Sequence, residues 1–172
     1  NIAIALARAG VGYLHLIDFD KVDITNLNRQ QYFVHQLGQY KTEALSETLK
    51  QIAPYCQVKT TTIKVTKDDI KELLKNEDII CEAFDNAECK AMLTNLVLEK
   101  MPDKYLVVSS GMAGMGSANT IRTRQVSKKL YICGDEVSDV KKEGSLVSSR
   151  VMICGAHQAH TVLRILANEF EV

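Results

Sequence analysis

What most limits the folds open to this chain is the way two hydrophobic periods alternate along it. Short apolar or β-branched runs read as strands: YLHLID from Tyr13, QVKTTTIKV from Gln57, DIICEAF from Asp78 and YLVVSSG from Tyr105. Helical patterns stand between them. NIAIALARAG is apolar all round and ends at Gly10. KTEALSETLKQIA puts Ala44, Leu45, Leu49 and Ile52 on one face and stops before Pro54, and AECKAMLTNLVLEKM is stopped by Pro102. TKDDIKELLKN opens on a capping-box-like Thr66 and Asp69 and presents Ile70, Leu73 and Leu74. Such alternation predicts a parallel sheet covered by helices. After Gly116 the pattern changes: ANTIRTRQV and KLYIC read as strands with no helix between them, GDEVSDVKKEGSLVSS as a polar, mobile loop, and VMICGAHQAHTVLRILANEF as a closing helix. The expected fold is α/β: a Rossmann-like, largely parallel sheet with helices on both faces and antiparallel strands toward the C-terminal part, in one domain spanning residues 1–172.

A doubly wound sheet binds ligands outside the carboxyl ends of its strands, which singles out the segments starting at Asp18, Asp85 and Ser109. The first, DFDKVDITNLNRQQYF, is rich in polar side chains and has no clean period. Asp18 suits a ribose hydroxyl or, equally, loop amides. Asn26 either supports a turn or orients a phosphate or carboxyl group. Arg29 is either a surface charge or a planar fork of donors for phosphate oxygens. Lys41 stands just ahead of Thr42, the expected N-cap of the next helix; the helix dipole disfavours a lysine there, while a helix N-terminus beside an ammonium makes an anion site. Asp85-x-x-Glu88 is itself a capping-box pattern, and Asp85 also suits Mg²⁺ held jointly with phosphate oxygens.

Composition narrows the partners. With 21 basic and 21 acidic residues there is no charge excess to neutralise a nucleic-acid backbone, so a nucleic-acid partner is not expected. No apolar run reaches the roughly 18–20 residues of a membrane span, so none is expected in a membrane. The five cysteines are scattered singly without a C-x-x-C, which fits a reducing cytoplasm and argues against a disulfide scaffold or a structural zinc. Cys154, His157 and His160 share the last helical pattern but read as core before metal ligands. Cys133, followed by Gly134-Asp135 at the edge of the polar loop, is the candidate nucleophile.

Taken in order, ARAGVGYLHLIDFDKVDITNLNRQQYF, GQYKTEAL, FDNAECK and a strand ending in SSGMAGMGS resemble the ThiF/MoeB adenylyltransferase family, related to the ubiquitin-activating enzymes. The string D-x-D-x-V-x-x-x-N-L-x-R-Q is the most specific piece, and the resemblance covers the first two thirds of the chain. The likeness is greatest to the short ThiF-type proteins of thiamine biosynthesis. It implies ATP and Mg²⁺, with Asp18 on the ribose, Asp20 among the nucleotide-binding residues, Asn26, Arg29, Gln30 and Lys41 around the phosphates, and Asp85 as the acid that holds the metal. Arg29, Lys41 and Asp85 then carry catalysis. The implied reaction is adenylation of the C-terminal glycine carboxylate of a ubiquitin-like sulfur carrier protein, by a homodimer. The glycine-rich phosphate loop of the family, with its strand, is expected ahead of Asn1. The competing expectations are an ATP-dependent tRNA-base dehydratase of the same superfamily, a nicotinamide-dependent oxidoreductase using Asp18 alone, and a non-catalytic nucleotide-binding scaffold.

Overall fold

The computed structural model describes residues 1–172. Helix α1 (Ile2–Arg8) gives way to β1 (Tyr13–Ile17). Gly10 between them has φ +97°, a left-handed conformation that lets the chain leave a helix sharply. Helix α2 (Lys41–Ile52) then crosses to β2 (Gln57–Thr61), which lies parallel to β1. The second half runs α3 (Ile70–Leu73), β3 (Ile79–Cys81), α4 (Ala87–Lys100), β4 (Tyr105–Ser109), β5 (Arg122–Ser127), β6 (Leu130–Gly134), α5 (Val140–Glu143) and α6 (Ser148–Leu166).

The strands form two hydrogen-bonded sheets, β1-β2 and β3-β4-β6-β5. All pairs are parallel except β5 with β6, the hairpin expected after Gly116. No backbone ladder joins β1 to β3, so the sheet expected to be continuous is in two pieces. A side-chain link spans them: His15 on β1 bonds Glu77, just ahead of β3, at 2.7 Å and Thr61 on β2 at 2.8 Å.

Strand β4 shows why this is a layered α/β fold. Successive side chains of a strand face opposite ways. Val107 packs with Leu6 of α1, Tyr131 of β6 and Cys154, Val162 and Ile165 of α6, whereas Leu106 and Val108 pack with Ile70 of α3 and Leu93 and Val97 of α4. Covered on both faces, the strand reads as an uninterrupted apolar run. Leu106 and Val107 are both fully buried, each worth about 1.5–3 kcal/mol of hydrophobic stabilisation. Helix α2 closes a third cluster, Leu49 and Ala53 against Ala7 and Cys56.

Three local expectations change. Helix α2 begins at Lys41 with Tyr40 at its N-cap position; Thr42 is buried and shares a 2.8 Å hydrogen bond with Thr62. Thr66 and Asp69 do bond, through Thr66 N and Oγ1 to Asp69 Oδ2, but they close a turn ahead of a single-turn α3. The polar segment after β6 is tied down by a buried ion pair, Arg150 with Asp135, and contains α5.

Candidate functional site

At the carboxyl end of β1 the chain turns on its own polar groups. Asp18 Oδ1 accepts from Asp20 N at 2.8 Å, and Asp20 Oδ2 holds Lys41 Nζ at 2.9 Å. Asp20 O also accepts from Lys41 N at 2.9 Å, which seats the first residue of α2 directly on this turn. Asp18 is half-buried; loss of solvent pushes its carboxyl above the usual aspartate range, more than the Asp20 amide and the Lys41 charge pull it back. Tyr32, a residue the sequence reading passes over, joins the group: its hydroxyl donates to Lys41 O at 3.4 Å. Burial first, then the charges of Asp18 and Asp20, raise the Tyr32 phenol well beyond its ordinary value.

In the next stretch Asn26 supports a turn through its Oδ1 and its carbonyl. Asn26 is buried, its Oδ1 accepts from Asp23 N at 2.9 Å and its carbonyl accepts from Arg29 N and Gln30 N. Asp23 in turn takes Thr25 N. Asn26 thus builds the short 3-10 turn Ile24–Asn26 and so sets where Arg29 and Gln30 emerge. Arg29 donates through Nη1 alone, to Thr25 O at 2.8 Å and Asn28 Oδ1 at 2.9 Å, which leaves Nε and Nη2 without hydrogen bonds. Gln30 is half-buried.

Asp85 lies beyond β3 and is exposed, with no hydrogen bond or ion pair from its side chain. The capping-box reading does not apply: Asn86 Oδ1 caps α4, accepting from Glu88 N at 2.8 Å and Cys89 N at 3.0 Å. The structure thus gathers Asp18, Asp20, Tyr32 and Lys41 into one contact group and places Asn26, Arg29 and Gln30 on the adjoining turn. Asp85 touches none of them. The halves are joined indirectly. Asn1 Nδ2 donates to Arg29 O at 3.0 Å. Gly155 of α6 lies so close to Asn1 that a Cβ there would approach Asn1 Cβ to 3.2 Å. One turn along α6, Gln158 Nε2 donates to Glu82 O at 3.1 Å, at the end of β3.

Glu82 is the charged residue most clearly missed. Its side chain is fully buried, and Lys90 Nζ reaches both carboxylate oxygens at 3.0 and 2.9 Å and Ser109 O and Oγ at 3.2 and 2.9 Å. A lone glutamate in the apolar run DIICEAF was the available signal, because a buried carboxylate requires a partner.

Cys133 sits in the core with no exposed surface, its thiol 3.6 Å from Thr123 Oγ1 and 3.9 Å from Thr161 Oγ1. Burial raises the Cys133 pKa, against the pull of those two hydroxyls. These are the surroundings of a packed thiol, not of an activated one. Cys154 and His157 turn to separate partners, Cys133 O and Thr123 Oγ1. No group of three or more His, Cys, Asp or Glu side chains is arranged to hold a metal. A single exposed carboxylate such as Asp85 still fits Mg²⁺, which takes one or two carboxylates and completes its shell with phosphate oxygens and water.

Comparison with known proteins adds the lineage. A sequence model of the ThiF family matches residues 1–172. The adenylyltransferase and sulfurtransferase MOCS3 of Dictyostelium discoideum is 28% identical over 175 residues, covering 99% of this chain and 41% of the relative. The tRNA threonylcarbamoyladenosine dehydratase of Escherichia coli (strain K12) is 32% identical over 129 residues, covering 73% of this chain and 47% of the relative. The chain therefore spans less than half the length of these curated relatives. A crystal structure of the E. coli tRNA N6-threonylcarbamoyladenosine dehydratase with AMP matches with a TM-score of 0.82 at 22% identity, over 98% of this chain and 83% of that one. At that identity the likeness establishes the fold.

Proposed function

The chain belongs to the ThiF family, and from that premise we propose that it adenylates a carboxylate at the expense of ATP. The observation that carries this reading is the pairing of Lys41 with Asp20 beside half-buried Asp18. It sets an ammonium, at the start of α2, next to a carboxylate suited to a ribose. The substrate we favour is the C-terminal glycine carboxylate of a ubiquitin-like sulfur carrier, in thiamine thiazole synthesis, with the enzyme acting as a homodimer. A carboxylate is already nucleophilic at neutral pH, so no general base is required. It attacks the α-phosphorus, the bond to the bridging oxygen breaks, and pyrophosphate leaves with an acyl-adenylate formed. The protein's task is in-line positioning and neutralisation of charge growing on phosphate oxygens. Lys41 exchanges Asp20 for a phosphate oxygen, and Arg29 offers the donors of Nε and Nη2. Asp18 accepts from the ribose. Asp85 is the residue that would hold Mg²⁺, which when bound supplies positive charge to the phosphates.

The second reading, dehydration of a carboxylate-bearing tRNA base, draws support from the 32% identical relative of that activity. The balanced charge, 21 basic against 21 acidic residues, weighs against it. Exchange of labelled pyrophosphate into ATP by the full chain separates the two. Exchange that requires a Gly-Gly-ended carrier supports the first reading; exchange that requires the modified tRNA and ignores the carrier replaces it with the second.

A further inference from the structure

The Glu82–Lys90 pair is placed where no recognised role of the site reaches. Glu82 ends the β3 run, and its side chain has no exposed surface. Its carboxylate accepts from Lys90 Nζ, from Phe84 N, and from Ser109 N at 3.4 Å. Lys90, on the second turn of α4, meets four acceptors within 3.2 Å: both Glu82 oxygens, Ser109 O and Ser109 Oγ. An ammonium has three protons. Lys90 is therefore saturated, and its charge is neutralised on the spot, so it has nothing left to offer a phosphate.

The consequence falls on Asp85. The link from Glu82 to Asn86 is pinned on both sides: Glu82 holds Phe84 N on one side, and Asn86 holds Glu88 N and Cys89 N on the other. Asp85 stands between the pins, exposed, its own carboxylate committed to nothing. Lys90 ties the start of α4 to the end of β4, and Gln158 of α6 ties Glu82 O from behind. Three elements thus fix the backbone that carries one free acid. A buried charge pair is a costly way to hold a loop when apolar residues of similar volume would stabilise as well. What the pair gives that apolar packing does not is directional bonding to a specific amide.

We propose that Glu82 and Lys90 form a positioning clamp that presets the Asp85 carboxylate for a nucleotide-bound divalent cation. This rests on the adenylation reading. Displacement of a positioned group by about 1 Å can lower a rate by about a hundredfold, so loosening the clamp should lower kcat and weaken the metal-bound nucleotide while leaving the affinity for metal-free ATP nearly unchanged.

The test uses Mn²⁺ as the probe, titrated into the full chain with a non-hydrolysable ATP analogue and read by electron paramagnetic resonance, alongside the exchange rate. Glu82→Gln is compared with Glu82→Asp, and with Glu82→Gln/Lys90→Met, which leaves no unpaired charge if the single variant does not fold. Glu82→Gln and the neutral pair variant should both weaken Mn²⁺ binding and lower kcat by about tenfold or more, with Glu82→Asp restoring part of the loss. Asp85→Asn should weaken Mn²⁺ binding similarly, and adding Glu82→Gln to it should cause no further loss, because the clamp acts only through that acid. Losses that multiply in the combined variant, or a folded pair variant with wild-type Mn²⁺ affinity and kcat, overturn the clamp while leaving adenylation intact. A wild-type chain that binds neither nucleotide nor Mn²⁺ overturns the adenylation reading, and the clamp with it.

Discussion

Two lysine–carboxylate pairs flank the sheet ends of this molecule, and they differ in how freely they can open. Lys41 makes one 2.9 Å contact with Asp20, whose side chain is 44% exposed. Lys90 makes two contacts with a Glu82 side chain that is 0% exposed, and two more with Ser109. The first pair can open when a stronger anion arrives, because water can take over the carboxylate. The second cannot open without stranding a buried charge. Lysine identity and proximity to an acid are the same in both. The exposure of the acid and the number of donors already committed distinguish Lys41, which we propose binds ligand, from Lys90, which is held in place.

The sharpest way to break this contrast is to remove each lysine in turn. Lys90→Ala should cost about 3–5 kcal/mol in denaturant unfolding, the usual penalty for an uncompensated buried charge. Lys41→Ala should cost about 1 kcal/mol or less in the same experiment, as for a solvent-screened pair. In pyrophosphate exchange the Lys41 variant should instead lose about a hundredfold, the effect of removing one donor aimed at developing charge. Equal stability losses in the two lysine variants would erase the distinction.

Acid extends the comparison to two aspartates of opposite sign. Asp135 loses solvent, which alone would raise its pKa, but bonds from Ser138, Val137 and the Arg150 charge outweigh that and hold it below the usual range. Its contribution to stability is full above the ordinary aspartate pKa and fades as pH falls through the depressed folded value. Asp18 is raised by burial, so the folded state binds its proton more readily and gains stability as pH falls through that window. Comparing acid unfolding of Asp135→Asn and Asp18→Asn with wild type checks both signs. The smallest effect is on ligand: ATP affinity should weaken on acidification at a pH above the ordinary aspartate range, and Asp18→Asn should flatten that dependence.

Much of the layering was legible because it rests on local pattern. YLVV is apolar without interruption since both faces of β4 are covered, and helix α4 stops where Pro102 forbids it to continue. The polar string after β1 marked a candidate site, but not that the Asn26 Oδ1 would be occupied in shaping the turn. Glu82 was visible as an oddity in DIICEAF, whereas Lys90 as its partner was not, because the two meet only when α4 folds back against β3 and β4. The side chain of Cys133 looked reactive beside a polar loop; packing of α6 encloses it. Separation of β1-β2 from the other strands left no local mark, since strand pairing is decided between distant segments.

The most direct measurement is a calorimetric titration of the full chain with ATP in the absence of divalent cations, for wild type, Lys41→Met and the Glu82→Gln/Lys90→Met pair variant. Lys41→Met should weaken ATP by about tenfold or more, the worth of a hydrogen bond to a charged group, while a folded pair variant keeps near wild-type affinity. Unchanged affinity in Lys41→Met, or affinity lost only in the folded pair variant, would contradict this.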